Sequence, residues 1–529
     1  MDRRRLPLGI QTLRKIREDD CYYVDKTADI LRLTEAGSHY FLSRPRRFGK
    51  SLLIDTMKEL FEGNEPLFRG LAVHDCWDWS VRHPVLHLSF GSGSFADPSQ
   101  VAASVSEQLD AVERDNELDV RQTTPAGRLR SVLKELHRKT GQRAAVLVDE
   151  YDRPILDAMF SQRPGDGPDS TTPAMNDAAR ANRDFLRGFY AAIKDADAHI
   201  RFSFLAGVTK FSKVSLFSGL NNLNDVTLDP RYGAIYGYTQ HDLETVFAPE
   251  LAGLDIEAIQ RWYNGYHWAG GERMYNPFGV LMLLERREFG AWWFETGSPS
   301  FLVETLVRRR VASAALDQTI TSEDLLSAFD VDHIATEALL FQTGYLTIVE
   351  EIVEGARKSY RLGYPNLEVR LSLNEHLLRR LHPDPSTVSR NQSKLHRLLE
   401  TNDVAGLEQL FHSFFAGIPH QWHTNNDIAD YEGYYASVFY SYFAALGLDV
   451  NVEESTSLGR LDMAARAGGR VYIFEFKAVE QAGPGAALAQ LKQRRYADRY
   501  RAGGEPIHLV GVEFSSVERN IERFETEEA

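Results

Sequence analysis

The sequence predicts an α/β protein, with a P-loop parallel sheet and flanking helices at the N-terminus, a mainly helical middle region, and a second α/β domain at the C-terminus. Three stretches predict it. Tyr40 to Leu53, YFLSRPRRFGKSLL, reads as a strand, a tight loop and a helix opening. Ala144 to Glu150, AAVLVDE, reads as a buried central strand that delivers two carboxylates to the edge of a parallel sheet. Gly459 to Lys477, GRLDMAARAGGRVYIFEFK, reads as a β-hairpin.

At 529 residues the chain is long for one core, and ordinary domain sizes suggest roughly three units. The pattern divides it at 1–245 (the P-loop domain), 246–385 (a helical, lid- or winged-helix-like region) and 386–529 (the second α/β domain). Charged residues at 26% and hydrophobic ones at 43% describe an ordinary soluble protein. The net charge of −15 argues against a surface that coats nucleic acid indiscriminately, and leaves room for a local basic cleft. Cys21 and Cys76 are too few for a disulfide framework, so a reducing cytoplasm is the expected compartment. The opening MDRRRLPLGI lacks a signal-peptide core and no apolar run reaches about 18 residues, so no membrane association is expected.

In the first domain the N–H groups opening the helix after Gly49 favour phosphate, Lys50 reaches terminal phosphates, and Ser51 holds magnesium. Where the pattern GxxxxGK[ST] has its first glycine, this chain has Arg44. The loop is therefore shaped differently, with Pro45 as one cause, and Arg44, Arg46 and Arg47 are expected to add positive charge. A helix follows over Ser51–Phe61, a strand over Val85–Phe90 and a helix over Val101–Leu136. At the end of AAVLVDE, Asp149 would contact magnesium through water and Glu150 would polarise an attacking water. SQRPGDGPDSTTPA, 161–174, has the composition of a mobile surface loop. A helix over Asn182–Lys194 and a strand over Arg201–Val208 complete the alternation, leaving Thr209 where a polar group senses the γ-phosphate.

The middle carries aromatic clusters, WYNGYHW, YNPFGV and WWFETGSPSFL, which are expected to be core or interface and are assigned no chemistry. Helices are expected over Leu395–Phe415 and Ile428–Leu446, the second carrying Glu432 in its first turns. In the hairpin, a two-residue turn at Gly468-Gly469 makes paired positions sum to 937, which sets Asp462 opposite Glu475. Two carboxylates with Cβ atoms about 5 Å apart repel unless a hard divalent ion, magnesium or manganese, lies between them. Lys477 points the same way and can orient a water or stabilise phosphate charge. Asp, then Glu-x-Lys after a hairpin, with a helical Glu upstream, resembles the PD-(D/E)XK nuclease arrangement. A helix over Ala486–Arg501 brings Gln490, Lys492, Arg494, Arg495, Tyr496 and Arg499, basic residues suited to a phosphate backbone. IHLVGVEF supplies a closing strand.

The whole chain resembles a bacterial family that joins an AAA-ATPase-like domain to a C-terminal PD-(D/E)XK nuclease domain of the restriction-endonuclease-like fold. The resemblance is carried by GIQTLRKIRED, YYVDKT, FLSRPRRFGKSL, VLVDEYD, FLAGVTKFSKVSLFSGLNNLND, YGYT, WYNGYHW, YNPFGV, YEGYYASVFYSYFAALGL, GRLD and IFEFK. It implies Lys50, Ser51, Asp149 and Glu150 as nucleotide and magnesium residues, and Glu432, Asp462, Glu475 and Lys477 as nuclease residues. Gln490 and Tyr496 would support them, although related nucleases often space this pair more closely. The expected function is an ATP-binding, metal-dependent nuclease acting on nucleic acid, with DNA favoured, using ATP and Mg2+ or Mn2+. The competing expectation is a nucleotide-switched regulatory protein whose nuclease fold binds without cutting. Assembly into a homo-oligomer is left open.

Overall fold

In a computed structural model of the chain, residues 3–160, 177–211, 216–217, 219–268, 270–295, 300–309, 311, 313–323, 326, 335–355, 357–382, 384–417, 428–456, 459–480, 483–515, 517–518 and 520–529 are described. Two compact units emerge. Met1–Gly297 and Thr319–Asn366 form the first, and Ser298–Gln318 and Leu367–Ala529 form the second. Residues 246–385 are thus shared between the two.

The first unit is built on a wholly parallel sheet of β1 (His39–Ser43), β2 (Val85–Ser89), β3 (Ala144–Asp149), β4 (Ile200–Gly207) and β5 (Asn224–Asp225), in the order β2-β3-β4-β1-β5. Every residue of β1 and β3 is buried, which is why both read as continuous apolar runs rather than alternating ones. Parallel pairing brings Ser43, Asp149 and Gly207 to one edge of the sheet. After a short loop, helix Lys50–Phe61 follows β1, one residue earlier than the expected Ser51 start.

The helix expected over Val101–Leu136 is two helices, Pro98–Asp115 and Pro125–Thr140. Each starts on its own cap, Asp97 accepting from the Ser99 N–H and Thr124 from the Gly127 N–H, with Pro at the first position of both. Between them Glu117 takes φ 48, which ends the first helix. Helix Asp177–Asp195 begins earlier than Asn182. The stretch 161–174 lies outside the described residues. The middle is mainly helical and also carries a small antiparallel sheet, order β6-β8-β7, of β6 (Ile320–Ser322), β7 (Thr347–Glu354) and β8 (Arg357–Gly363).

The second unit holds a five-stranded mixed sheet of β9 (Asp449–Thr456), β10 (Gly459–Ala467), β11 (Arg470–Ala478), β12 (Ile507–Ser515) and β13 (Asn520–Glu528), in the order β13-β12-β11-β10-β9. The β10–β11 pairs, from Ala467↔Arg470 to Met463↔Phe474, follow the 937 register. Gly468 and Gly469 turn the chain with φ 56 and 72, the double positive φ of a type I′ turn. Strict alternation gives β11 two different faces. Tyr472, Phe474 and Phe476 enter a large aromatic core with Phe411, Phe439 and Phe514, whereas Val471 and Ile473 pack with Leu491, Tyr496 and Tyr500 on the other side.

Leu395–Phe415 is also two helices, Pro385–Thr401 and Val404–Ala416, separated by Asn402 at φ 56 and capped by Asp403. The helix expected over Ala486–Arg501 stops at Gln493; Arg495 takes φ 49 and a 3-10 turn, Tyr496–Arg499, follows. The apolar spacing explains the break. A continuous helix could not turn Leu491, Tyr496, Ala497 and Tyr500 onto the same face of the sheet, and all four are buried there.

Candidate functional site

The loop after β1 carries two left-handed residues, Arg47 at φ 67 and Gly49 at φ 92, and Gly49 caps helix Lys50–Phe61. The unpaired N–H groups of that helix start open toward a cavity of about 600 Å³. Its charged lining comes from Arg46, Arg47, Lys50, Glu150, Asp152, Arg153 and Asp157, with Ser51 beside Lys50. Its apolar lining includes Ile10, Tyr238, Pro277, Phe278 and Leu281, with the Gln11 amide among them. A cavity with cations at a helix start and apolar walls close by suits a nucleoside polyphosphate.

Lys50 Nζ donates to the carbonyls of Arg44 at 3.1 Å and Pro45 at 2.9 Å. Burial pulls its pKa down, against the Asp149, Glu150 and Asp152 carboxylates, which pull it up. Asp149, at the end of β3, accepts from the Glu150 N–H at 3.0 Å and from the Ser51 hydroxyl. Its pKa is pushed up by burial, with the Ser51 bond and the Lys50 charge opposing. Glu150 sits at φ 52, a strained position for a residue with a side chain, and its Oε2 lies 3.3 Å from Arg153 Nη1.

Thr209 is brought to the same sheet edge but does not line the cavity: its hydroxyl donates to Asp152 at 2.6 Å and its N–H does the same. Asp152 is a carboxylate that sequence reasoning passed over, although it stands in the DEYD run. Arg44 departs from expectation more sharply. Its guanidinium adds no charge to the cavity, because it is 1% exposed and turned into the protein, bonded to backbone carbonyls. Sequence reasoning also assigned no chemistry to YNPFGV, yet Pro277 and Phe278 line the cavity. GIQ and YGYT supply Gly9, Ile10, Gln11 and Tyr238 to the same walls.

In the second unit the β10–β11 ladder stops at Met463↔Phe474, one step before Asp462 and Glu475. There a side chain replaces the ladder, Asp462 Oδ2 accepting from the Phe476 N–H at 2.9 Å. Glu475 is fully buried, on the face of β11 that carries Lys477, whose Nζ lies 3.1 Å from Glu475 Oε1. Gln490 Nε2 donates to that same oxygen. Tyr496 completes the group: burial and then the Glu475 carboxylate push its pKa up, while a hydrogen bond with Gln490 opposes them. The helix break at Arg495 is what turns Tyr496 back toward Gln490.

Two residues absent from the sequence reading make this arrangement fit. Gly511 is the register partner of Glu475 on β12, and a Cβ there would lie 2.5 Å from the Leu488 backbone nitrogen. Only glycine lets helix Ala486–Gln493 approach closely enough to deliver Gln490. Glu513, 2% exposed, then holds the start of that helix by accepting from the Gly485 and Ala487 N–H groups, both at 3.1 Å. A glutamate inside the apolar strand IHLVGVEF was the available signal.

Glu432 stands on helix Ile428–Ala445, and its side chain lies outside the described residues. Among the described residues no three His, Cys, Asp or Glu side chains gather as a metal cluster. The donor set that is present, the Asp462 carboxylate held by the Phe476 N–H and the Glu475 carboxylate beside the Lys477 ammonium, has the hard oxygen chemistry that fits Mg2+ or Mn2+. Of the basic residues after Gln490, Lys492 pairs with Glu527 at 2.8 Å and Arg495 with Asp498 at 2.7 Å. No helix among the described residues is long and apolar enough to cross a membrane.

Comparison with known proteins matches residues 7–217 to a family described as "Predicted AAA-ATPase" and residues 430–524 to the PD-(D/E)XK nuclease superfamily. Over 528 residues the chain is 56% identical to a protein of Azotobacter chroococcum mcd 1 described as "Uncharacterized protein in vnfD 5'region". The match covers 100% of this chain and 99% of that protein.

Proposed function

This chain belongs to the family that joins an AAA-ATPase-like domain to a C-terminal PD-(D/E)XK nuclease domain, and from that premise we propose that it is an ATP-binding, metal-dependent nuclease. Its substrate is nucleic acid, with DNA favoured, and its compartment is the cytoplasm. The observation that carries this reading is that Lys477 and Gln490 meet on the buried Glu475 carboxylate while Asp462 is fixed by the N–H of the next residue, Phe476.

In the nuclease site Asp462 and Glu475 would hold Mg2+ or Mn2+, with Glu432 completing the set. The bound ion supplies Lewis acidity and an activated water. The chain's own groups do the rest. The Phe476 N–H fixes the Asp462 carboxylate and Gln490 fixes Glu475. Lys477, held against Glu475, presents its ammonium to the negative charge that grows on the phosphate.

In the P-loop domain Lys50, Arg46 and Arg47 bind the phosphates of ATP around Gly49. Ser51 would hold its magnesium and Asp149 would contact that ion through water, while Glu150, now against Arg153, would orient the attacking water. Thr209 acts through Asp152. ATP at this site governs cleavage at the other, with 246–385 as the relay; the fusion of the two domains motivates this. A magnesium titration tests the nuclease half. Wild type cuts DNA as magnesium rises, and Glu475→Gln binds DNA without cutting. Wild type that binds at every magnesium concentration and never cuts belongs to the nucleotide-switched binding reading instead.

A further inference from the structure

The phosphate-binding loop is held from outside. Arg44, standing where such loops have glycine, sends its guanidinium away from the cavity to bond backbone carbonyls and stack on an indole, with the Asp225 carboxylate and the Tyr236 phenol acting on its charge from nearby. Its Nη1 donates to the carbonyls of Ser43 and Thr227, both at 2.9 Å, and its Nη2 to that of Tyr232 at 3.4 Å. The guanidinium stacks on the Trp268 ring at 4.2 Å. Burial pulls the Arg44 pKa down and the nearby Asp225 carboxylate only partly opposes it, so holding the guanidinium here by carbonyls and an indole is costly.

The other loop residues are gripped in the same way. The Trp293 indole N–H donates to the Arg46 carbonyl at 3.0 Å. Phe48 packs edge-on against Tyr266 at 4.8 Å and Trp268 at 5.3 Å. Gly344 lies so close to Pro45 that a Cβ there would come within 2.7 Å of its ring. The grip reaches the ligand-binding group directly, because the carbonyls that Lys50 touches are those of Arg44 and Pro45.

We propose that Arg44 is the positioning residue of the phosphate site: clamped on Trp268 and the Thr227 carbonyl, it sets the loop carbonyls that aim Lys50, replacing the conformational role of the missing glycine. The proposal rests on the reading of this cavity as a nucleotide site. It also gives the WYNGYHW and WWFETG segments a task, since Trp268 and Trp293 hold the loop.

A double-mutant cycle on ATP binding to the full chain tests it. Arg44→Gly, which restores the usual loop residue, is expected to weaken ATP binding at least tenfold, with Arg44→Lys intermediate because it keeps a cation but not the stacked fork. In a Lys50→Ala background the same Arg44→Gly change is expected to cost less than twofold, since the group it aims is gone. If Arg44→Gly does not fold by circular dichroism, Trp268→Leu takes its place with the same pattern. Unchanged or tighter ATP binding by Arg44→Gly overturns the proposal, and so does equal weakening with and without Lys50, which marks a merely structural role. Wild type that binds no ATP overturns the nucleotide reading itself, an outcome distinct from both.

Discussion

Lys477 and Gln490 converge on the same oxygen, Oε1 of Glu475, from opposite sequence neighbours: one from the same strand, the other from the helix packed over it. Because Glu475 is fully buried, its orientation is set by these two groups rather than by solvent. Gln490→Ala is therefore expected to lower cleavage about 10–100-fold, the usual cost of losing a group that orients a metal ligand. Stability should fall by about 1.5–3 kcal/mol, the cost of removing a hydrogen bond to a buried carboxylate. Initial cleavage rates and a denaturant melt measured on the same protein check both halves.

Gly511 carries a steric prediction. A methyl at this position meets the backbone of Leu488, which cannot swing aside as a side chain could. Gly511→Ala should cost about 1–3 kcal/mol and displace Gln490 from Glu475. A melt with unchanged midpoint would contradict it.

Lys50 sets the pH dependence of nucleotide binding. Phosphate needs the ammonium form, and burial depresses the Lys50 pKa. Affinity is thus full below the lowered pKa and falls as pH rises through it, before an exposed lysine would titrate. ATP dissociation constants measured from about pH 7 to pH 10 should show this early loss. A constant affinity up to the ordinary lysine range would show that the ammonium is not depressed.

Glu150→Gln separates binding from turnover. The side chain keeps its shape beside Arg153 but loses the carboxylate proposed to orient water, so ATP hydrolysis is expected to drop about 10²–10⁴-fold while ATP binding persists. Phosphate release and equilibrium binding measured together give the answer.

How much of this was legible depends on distance along the chain. Lys50, Ser51 and Asp149 lie in short continuous runs, and the structure brings Ser51 to Asp149. The hairpin register was legible because a two-residue turn at Gly468-Gly469 makes paired positions sum to 937, and the structure has that turn. The fate of Arg44 was not, since its partners Thr227, Tyr232 and Trp268 are far off in sequence and only tertiary packing joins them. The same holds for Ile10, Tyr238 and Phe278, which meet only in the folded cavity. Other misses were local. Asp97-Pro98 and Thr124-Pro125 announce two helix starts, and Asp403 announces another, each overridden by an unbroken helical pattern.

The most direct measurement is cleavage of circular DNA in Mg2+, with and without ATP, by wild type, Asp462→Ala and Lys50→Ala. Wild type is expected to cut, Asp462→Ala not to, and the response to ATP to disappear in Lys50→Ala. Cutting by Asp462→Ala at the wild-type rate, or no cutting by any of the three with or without ATP, would contradict this reading.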